Sequence, residues 1–104
     1  LIRDGDMLGA GAMTDETRPE DRLKRMRFRA WHRGTREADY MIGCYFDRFH
    51  HEWGERELAW FEALIEEEDA DILGWALGTL GVPDAYAGAL MERMKLLDYV
   101  DIPR

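Results

Sequence analysis

Adjacent His50 and His51, followed by Glu52, are the residues that most invite a metal. Zinc takes imidazole and carboxylate ligands, and helical ligand pairs sit three or four residues apart so that both side chains share a face. Neighbouring residues on a helix instead point about 100° apart, so these two rings are poorly placed to grip one ion. His32 is remote in sequence, and the single cysteine, Cys44, has no second thiolate beside it. Capping or solvated histidines are expected, and no metal site. Serine is absent, which removes the commonest triad nucleophile. Cys44 falls within an apolar helical stretch, where cysteine acts as a small hydrophobe. The Glu66-Glu67-Glu68 run reads as a solvated face, and neither a phosphate-binding glycine loop nor a dinucleotide fingerprint occurs. No catalytic residue is assigned, and the chain is not expected to be an enzyme.

A different constellation remains at Arg33-Gly34-Thr35-Arg36-Glu37. As capping chemistry it is simple. Gly34 ends one helix, the Thr35 hydroxyl caps the next, and Glu37 suits the positive end of that helix's dipole. As contact chemistry it is equally coherent. A guanidinium and a carboxylate on a corner lowered by glycine would let another protein's backbone approach, with arginine capturing a carboxylate or carbonyls bidentately. The residues alone support the two readings equally.

The elements that must position this turn are helices. After Pro19, Glu20 and Asp21 open a first helix with Leu23, Met26, Ala30 and Trp31 on one stripe and Arg22, Arg25 and Arg29 on another. The second carries the clearest period: Ala38, Met41, Ile42, Tyr45, Phe46 and Phe49. Gly54 breaks the chain before a third helix with Leu58, Phe61, Leu64 and Ile65 inward. Asp69 is the expected N-cap of a fourth, which buries Ile72, Leu73, Ala76 and Leu77 and closes at Gly78 or Gly81. Pro83 is expected to open a fifth, with Tyr86, Leu90, Met94 and Leu97 on its inner face. Strand-like alternation and hairpin dipeptides are missing. The fold class is therefore all-α, a small five-helix bundle over residues 20–100, with 1–19 a disordered leader. Residues 1–12 read as an extension ahead of a natural start at Met13.

With 104 residues and 35% charged against 46% apolar positions, one globular domain is expected. No apolar run approaches the roughly 18 residues of a membrane span, the N-terminus lacks a secretory layout, and one cysteine suits a reducing compartment. A cytoplasmic monomer without membrane insertion follows. The net charge of −8 conceals an asymmetry: residues 18–36 carry +6 and residues 37–104 carry −11. The basic first helix, with Phe28 and Trp31, raises the alternative of a small nucleic-acid-binding regulator. The acidic body opposes phosphate approach, so no nucleic acid is expected, and the basic helix would instead steer toward an acidic patch on a protein.

The motif and its surroundings resemble the succinate dehydrogenase assembly factor 2 family, whose bacterial members are called SdhE. Its R-G-x-x-E signature is matched by Arg33, Gly34 and Glu37, and its following aspartate by Asp39. Tyr45-Phe46-Asp47-Arg48-Phe49 is similar to its aromatic second helix, and Glu68 to Trp75 to its acidic-then-tryptophan segment. The likeness spans about residues 20–98 and implies a five-helix bundle. It also implies a chaperone that promotes covalent FAD attachment (flavinylation) to the flavoprotein subunit of succinate dehydrogenase, and in bacteria of fumarate reductase. FAD would belong to the partner, whose histidine reacts with the isoalloxazine 8α-methyl carbon, and no cofactor would be permanently bound here. The resemblance makes Arg33, Gly34 and Glu37 the functional motif. Arg36, Asp39, Asp69, Asp71 and Trp75 are supporting positions.

Overall fold

A computed structural model describes residues 19–102, and five α-helices make up most of them. The extension expected over 1–12 and, apart from Pro19, the leader expected over 1–19 lie outside the described residues. Helix α1 (Pro19–Trp31) starts on the proline itself, one residue earlier than expected. Its missing N–H costs nothing in a first turn, where amides lack helical partners, and Glu20 and Asp21 follow beside the positive dipole end. Helix α2 (Arg36–Phe49) is capped by Thr35, whose Oγ1 accepts from the Ala38 amide at 3.2 Å. Its expected stripe is observed: Ala38, Met41, Ile42, Tyr45 and Phe46 are buried and Phe49 is half-buried. Met26 and Ala30 of α1 join the same core. Trp31 lies flat on Gly43, where a Cβ would come within 2.3 Å of the indole, so glycine sets the approach of α1 to α2.

A single 3-10 turn, His50–Glu52, leads to α3 (Glu55–Leu64). The Glu57 carboxylate accepts from the Gly54 amide at 2.8 Å and fixes the start of α3. Phe61 and Leu64 close over Tyr45 and Phe46, with the Phe46 and Phe61 rings 5.3 Å apart. Helix α4 (Asp69–Leu77) ends at Gly78, which takes φ 84°. Three expectations are corrected in this half. Glu68, not Asp69, occupies the N-cap position of α4 without a side-chain cap, because the Asp69 carboxylate is drawn to a guanidinium instead. Leu77 is 59% exposed, since the last turn of α4 runs past the core while Ile72, Trp75 and Ala76 fill it. Pro83 opens only a turn. Gly88 at φ 137° interrupts the chain, so α5 is the shorter Ala89–Lys95 and buries Met91 and Met94 with Leu90 only half-buried.

Three of the four tyrosines are buried in this core. The Tyr45 hydroxyl donates to the Leu90 carbonyl at 2.7 Å, tying α2 to α5. The Tyr86 hydroxyl donates to Glu67 Oε2 at 2.6 Å and lies 3.2 Å from the Ala63 carbonyl, tying the pre-α5 turn to the end of α3. Burial raises all three phenols, and Tyr86, also facing the Glu67 carboxylate, is pushed up to about 12.

Two outcomes follow from this packing. Gly43→Ala gains helix propensity but drives a methyl into the Trp31 ring, so denaturant unfolding should show a net loss of about 1–3 kcal/mol. In the unfolded chain Tyr45, Tyr86 and Tyr99 ionise near pH 10, below their folded values. Stability is therefore present in full below about pH 10 and lost as pH rises through the folded values. Phenolate absorbance should rise together with loss of helical circular dichroism. Free titration of Tyr45, Tyr86 and Tyr99 near pH 10 in a still-helical protein would contradict the packing.

Candidate functional site

The basic face of α1 is spent inside the molecule. Arg22 is a fork between two carboxylates of α3, with Nη1 donating to Glu55 Oε1 at 2.6 Å and Nη2 to Glu62 Oε1 at 2.7 Å. These hydrogen bonds hold Arg22 above its ordinary value and hold the Glu55 carboxyl below the usual range. Arg25 lies 4.0 Å from Glu62, and Arg29 pairs with Glu66 just past α3. Arg27, on another side, reaches Asp47 of α2 at 3.5 Å. The arginines thus form a ladder down α1 against acids of α3 and the turn after it. Four of the arginines behind the local +6 are paired with acids behind the local −11.

The last rung is Arg33, and it is unlike the others because its side chain is only 8% exposed. Its Nε donates to Asp69 Oδ1 at 2.8 Å, in the first turn of α4. Nη1 donates to the carbonyl of Ile65, the C-cap of α3, at 2.7 Å and Nη2 to the Glu67 carbonyl in the turn that follows at 3.0 Å. Nη1 also lies 3.3 Å from the Arg29 carbonyl at the end of α1. One cation therefore serves the negative ends of two helices and an aspartate at the positive end of a third. The Arg33 amide, in turn, donates to Asp39 Oδ1 at 2.6 Å, which folds the turn back onto α2.

Gly34 follows at φ 121°, a conformation that only glycine takes without strain. Space does not exclude a side chain there: a Cβ would meet nothing closer than Asp69 Oδ2 at 4.0 Å. The demand is conformational, a sharp reversal between two helices. Thr35 caps α2, and Glu37 projects from its first turn, exposed. The Glu37 carboxylate makes no hydrogen bond or ion pair with another described residue. Arg36 is also exposed, its guanidinium 5.7 Å from the Tyr40 ring centroid.

The expected pairing of the motif's charges is corrected by this geometry. Arg33 does not face outward beside Glu37; it turns inward with Asp69 and Asp39, while Gly34, Thr35, Arg36 and Glu37 are exposed. Asp71 is half-buried in the first turn of α4. Trp75 is in the core, stacked on Tyr86 at 5.3 Å between centroids, and Trp31 is fastened by its Nε1–H to Asp47 Oδ2 at 3.1 Å. His50 Nδ1 is 2.8 Å from the Phe46 carbonyl, a local helix-end contact. Sequence reasoning missed the ladder. Its signal was available in the three- and four-residue spacing of Arg22, Arg25, Arg29 and Arg33 opposite Glu55, Glu62, Glu66 and Asp69.

Comparison with known proteins bears on this corner. A family model described as "Flavinator of succinate dehydrogenase" matches residues 24–98, which takes in Arg33, Asp39 and every acceptor of the Arg33 guanidinium. The chain is also similar to the FAD assembly factor SdhE of Acetobacter pasteurianus. The two are 34% identical over 73 residues, covering 70% of this chain and 67% of the relative.

The geometry separates the motif's arginine from its glutamate by experiment. Arg33→Ala strands the Ile65 and Glu67 carbonyls and leaves Asp69 unpaired, so urea unfolding should show a loss of about 2–4 kcal/mol. Arg33→Lys cannot reproduce the planar fork and should recover only part of it. An Arg33→Ala protein of unchanged stability would mean that the inward pin carries no load.

Proposed function

This chain belongs to the family of succinate dehydrogenase flavinators, and we propose that it is an assembly factor promoting covalent attachment of FAD to the flavoprotein subunit of succinate dehydrogenase. The observation that carries this reading is the family match across the corner, together with the exposed Glu37 carboxylate on a base fixed by Arg33 and Asp39. In this reading FAD is the partner's cargo, and the bond-forming groups are the partner's own. The assembly factor contributes orientation: it binds the flavoprotein and holds the reacting groups close to their bonding geometry, which can supply a large part of a barrier without a nucleophile. Glu37 makes the contact, Gly34 keeps the corner low, and Arg33 with Asp39 and Asp69 keeps it rigid. The factor works as a monomer in the cytoplasm, and the flavoprotein subunit of fumarate reductase is a related client.

The ladder on α1 weighs against the nucleic-acid alternative. Arg22, Arg25, Arg27, Arg29 and Arg33 are already paired with acids of the same chain, and contact with phosphate would have to break those pairs. Among the described residues no helix is long and apolar enough to cross a membrane.

Glu37→Ala tests the reading directly. The residue is exposed, so only its favourable position near the helix dipole is lost, and stability should fall by less than about 1 kcal/mol. Covalent flavin on the co-expressed flavoprotein, read as in-gel fluorescence after denaturation, should fall strongly. Full flavinylation by a Glu37→Ala protein would remove Glu37 from the contact, and full flavinylation without the wild-type chain would remove the function itself.

A further inference from the structure

Beside the corner, an apolar groove of about 280 Å³ runs from Glu37 along Met41 and Leu73 to Leu77, Leu97 and Ile102. It brings together α2, the outer side of α4 and the chain after α5. Leu77 at 59% and Ile102 at 41% exposure are two of the five large hydrophobic side chains left exposed among the described residues. Leu97 adds a separate oddity. It takes φ 58° just past the end of α5, the left-handed position usually filled by glycine. A leucine there costs about 1–2 kcal/mol of backbone energy, and the Leu97 side chain that it retains forms part of the groove wall. Strained residues of this kind gather at ligand clamps.

We propose that this groove, rather than the corner alone, receives a short apolar segment of the flavoprotein that carries one lysine or arginine, whose cation pairs with Glu37. The proposal rests on the assembly-factor reading above and names the chemistry of its contact. Three observations select this occupant. The groove is continuous with the corner, because Glu37 belongs to both. Among the described residues its only charged wall residue is that carboxylate, which has no partner among them, so a basic residue beside apolar ones is complementary. Its volume is slightly under the roughly 300–1,000 Å³ of small-molecule sites, which suits a few side chains better than a flavin dinucleotide. A buried apolar anchor rimmed by one charge pair is also the usual anatomy of an interface hot spot.

The test uses the full chain with the purified flavoprotein subunit. Leu77→Asp, at an exposed position, should keep the wild-type helical spectrum and unfolding midpoint yet weaken the complex by roughly tenfold or more, with a matching loss of covalent flavin. If Leu77→Asp fails to fold, Leu77→Ala should still weaken the complex measurably. Wild-type affinity for a folded variant overturns the groove while leaving the assembly-factor reading intact. Absence of any complex or flavinylation with the wild-type chain overturns that reading, and the groove with it. A benzophenone amino acid at Leu77 then identifies the occupant. An adduct to a flavoprotein peptide containing apolar residues and a lysine or arginine supports the proposal. An adduct to a second copy of this chain, or none with the flavoprotein in a formed complex, overturns it.

Discussion

The structure depends above all on where one guanidinium goes. Four helices meet at Arg33: α1 ends at it, α3 and its following turn point carbonyls at it, α4 begins beside it, and α2 is drawn in through Asp39. Each of those helix ends carries unpaired carbonyls or amides that folding must satisfy. Water could do so at an exposed end, but here the ends converge. A planar five-donor group answers several carbonyls at once with little loss of entropy per bond, which an ammonium cannot match. The rigidity of the outer turn is therefore a consequence of satisfying the inner one.

The same logic explains the charge layout. Exposed ion pairs contribute little individually, typically about 0–1 kcal/mol, so Arg22, Arg25 and Arg29 are weak arguments for stability one at a time. Their value is directional. A basic stripe facing an acidic one favours a single register of α1 along α3, and mispaired arrangements would leave like charges together. Gly43 then lets α1 close on α2 through Trp31. Together the ladder and the close approach deliver Arg33 to the helix ends, and the weak pairs gain their importance from the strong contact they align.

Much of this was legible in advance. The stripe of α2 fell into the core from Ala38 to Phe46 because a long period with β-branched and aromatic members has only one face to bury. Thr35 capped α2 as its type and position required. The misreadings share a cause, the preference for local chemistry over distant partners. Asp69 reads as an N-cap from its neighbours, and only a residue 36 positions away makes it an ion-pair partner. Arg33 reads as a free hot-spot donor until the carbonyls of Ile65 and Glu67 are placed beside it. Leu77 fits the stripe of α4, but period alone does not say where the core ends. Pro83 is a good helix opener, overruled by the backbone of Gly88.

The inward turn of Arg33 also changes how a two-charge motif is understood. Were arginine and glutamate both surface contacts, either could be exchanged for another polar contact at modest cost, since rim charges contribute little. In the observed arrangement the two residues act in series. Arg33 converts four helix ends into one fixed corner, and Gly34 makes the reversal that brings Thr35 and Glu37 to the start of α2. A carboxylate presented on a mobile loop would have to be ordered on each encounter, at an entropic cost that reduces what binding can achieve. Presented from this corner, its backbone position is fixed already. On the proposed assembly-factor reading, in which the chain orients another protein, prior ordering is the useful property, and the inward-turned Arg33 supplies it from within the fold.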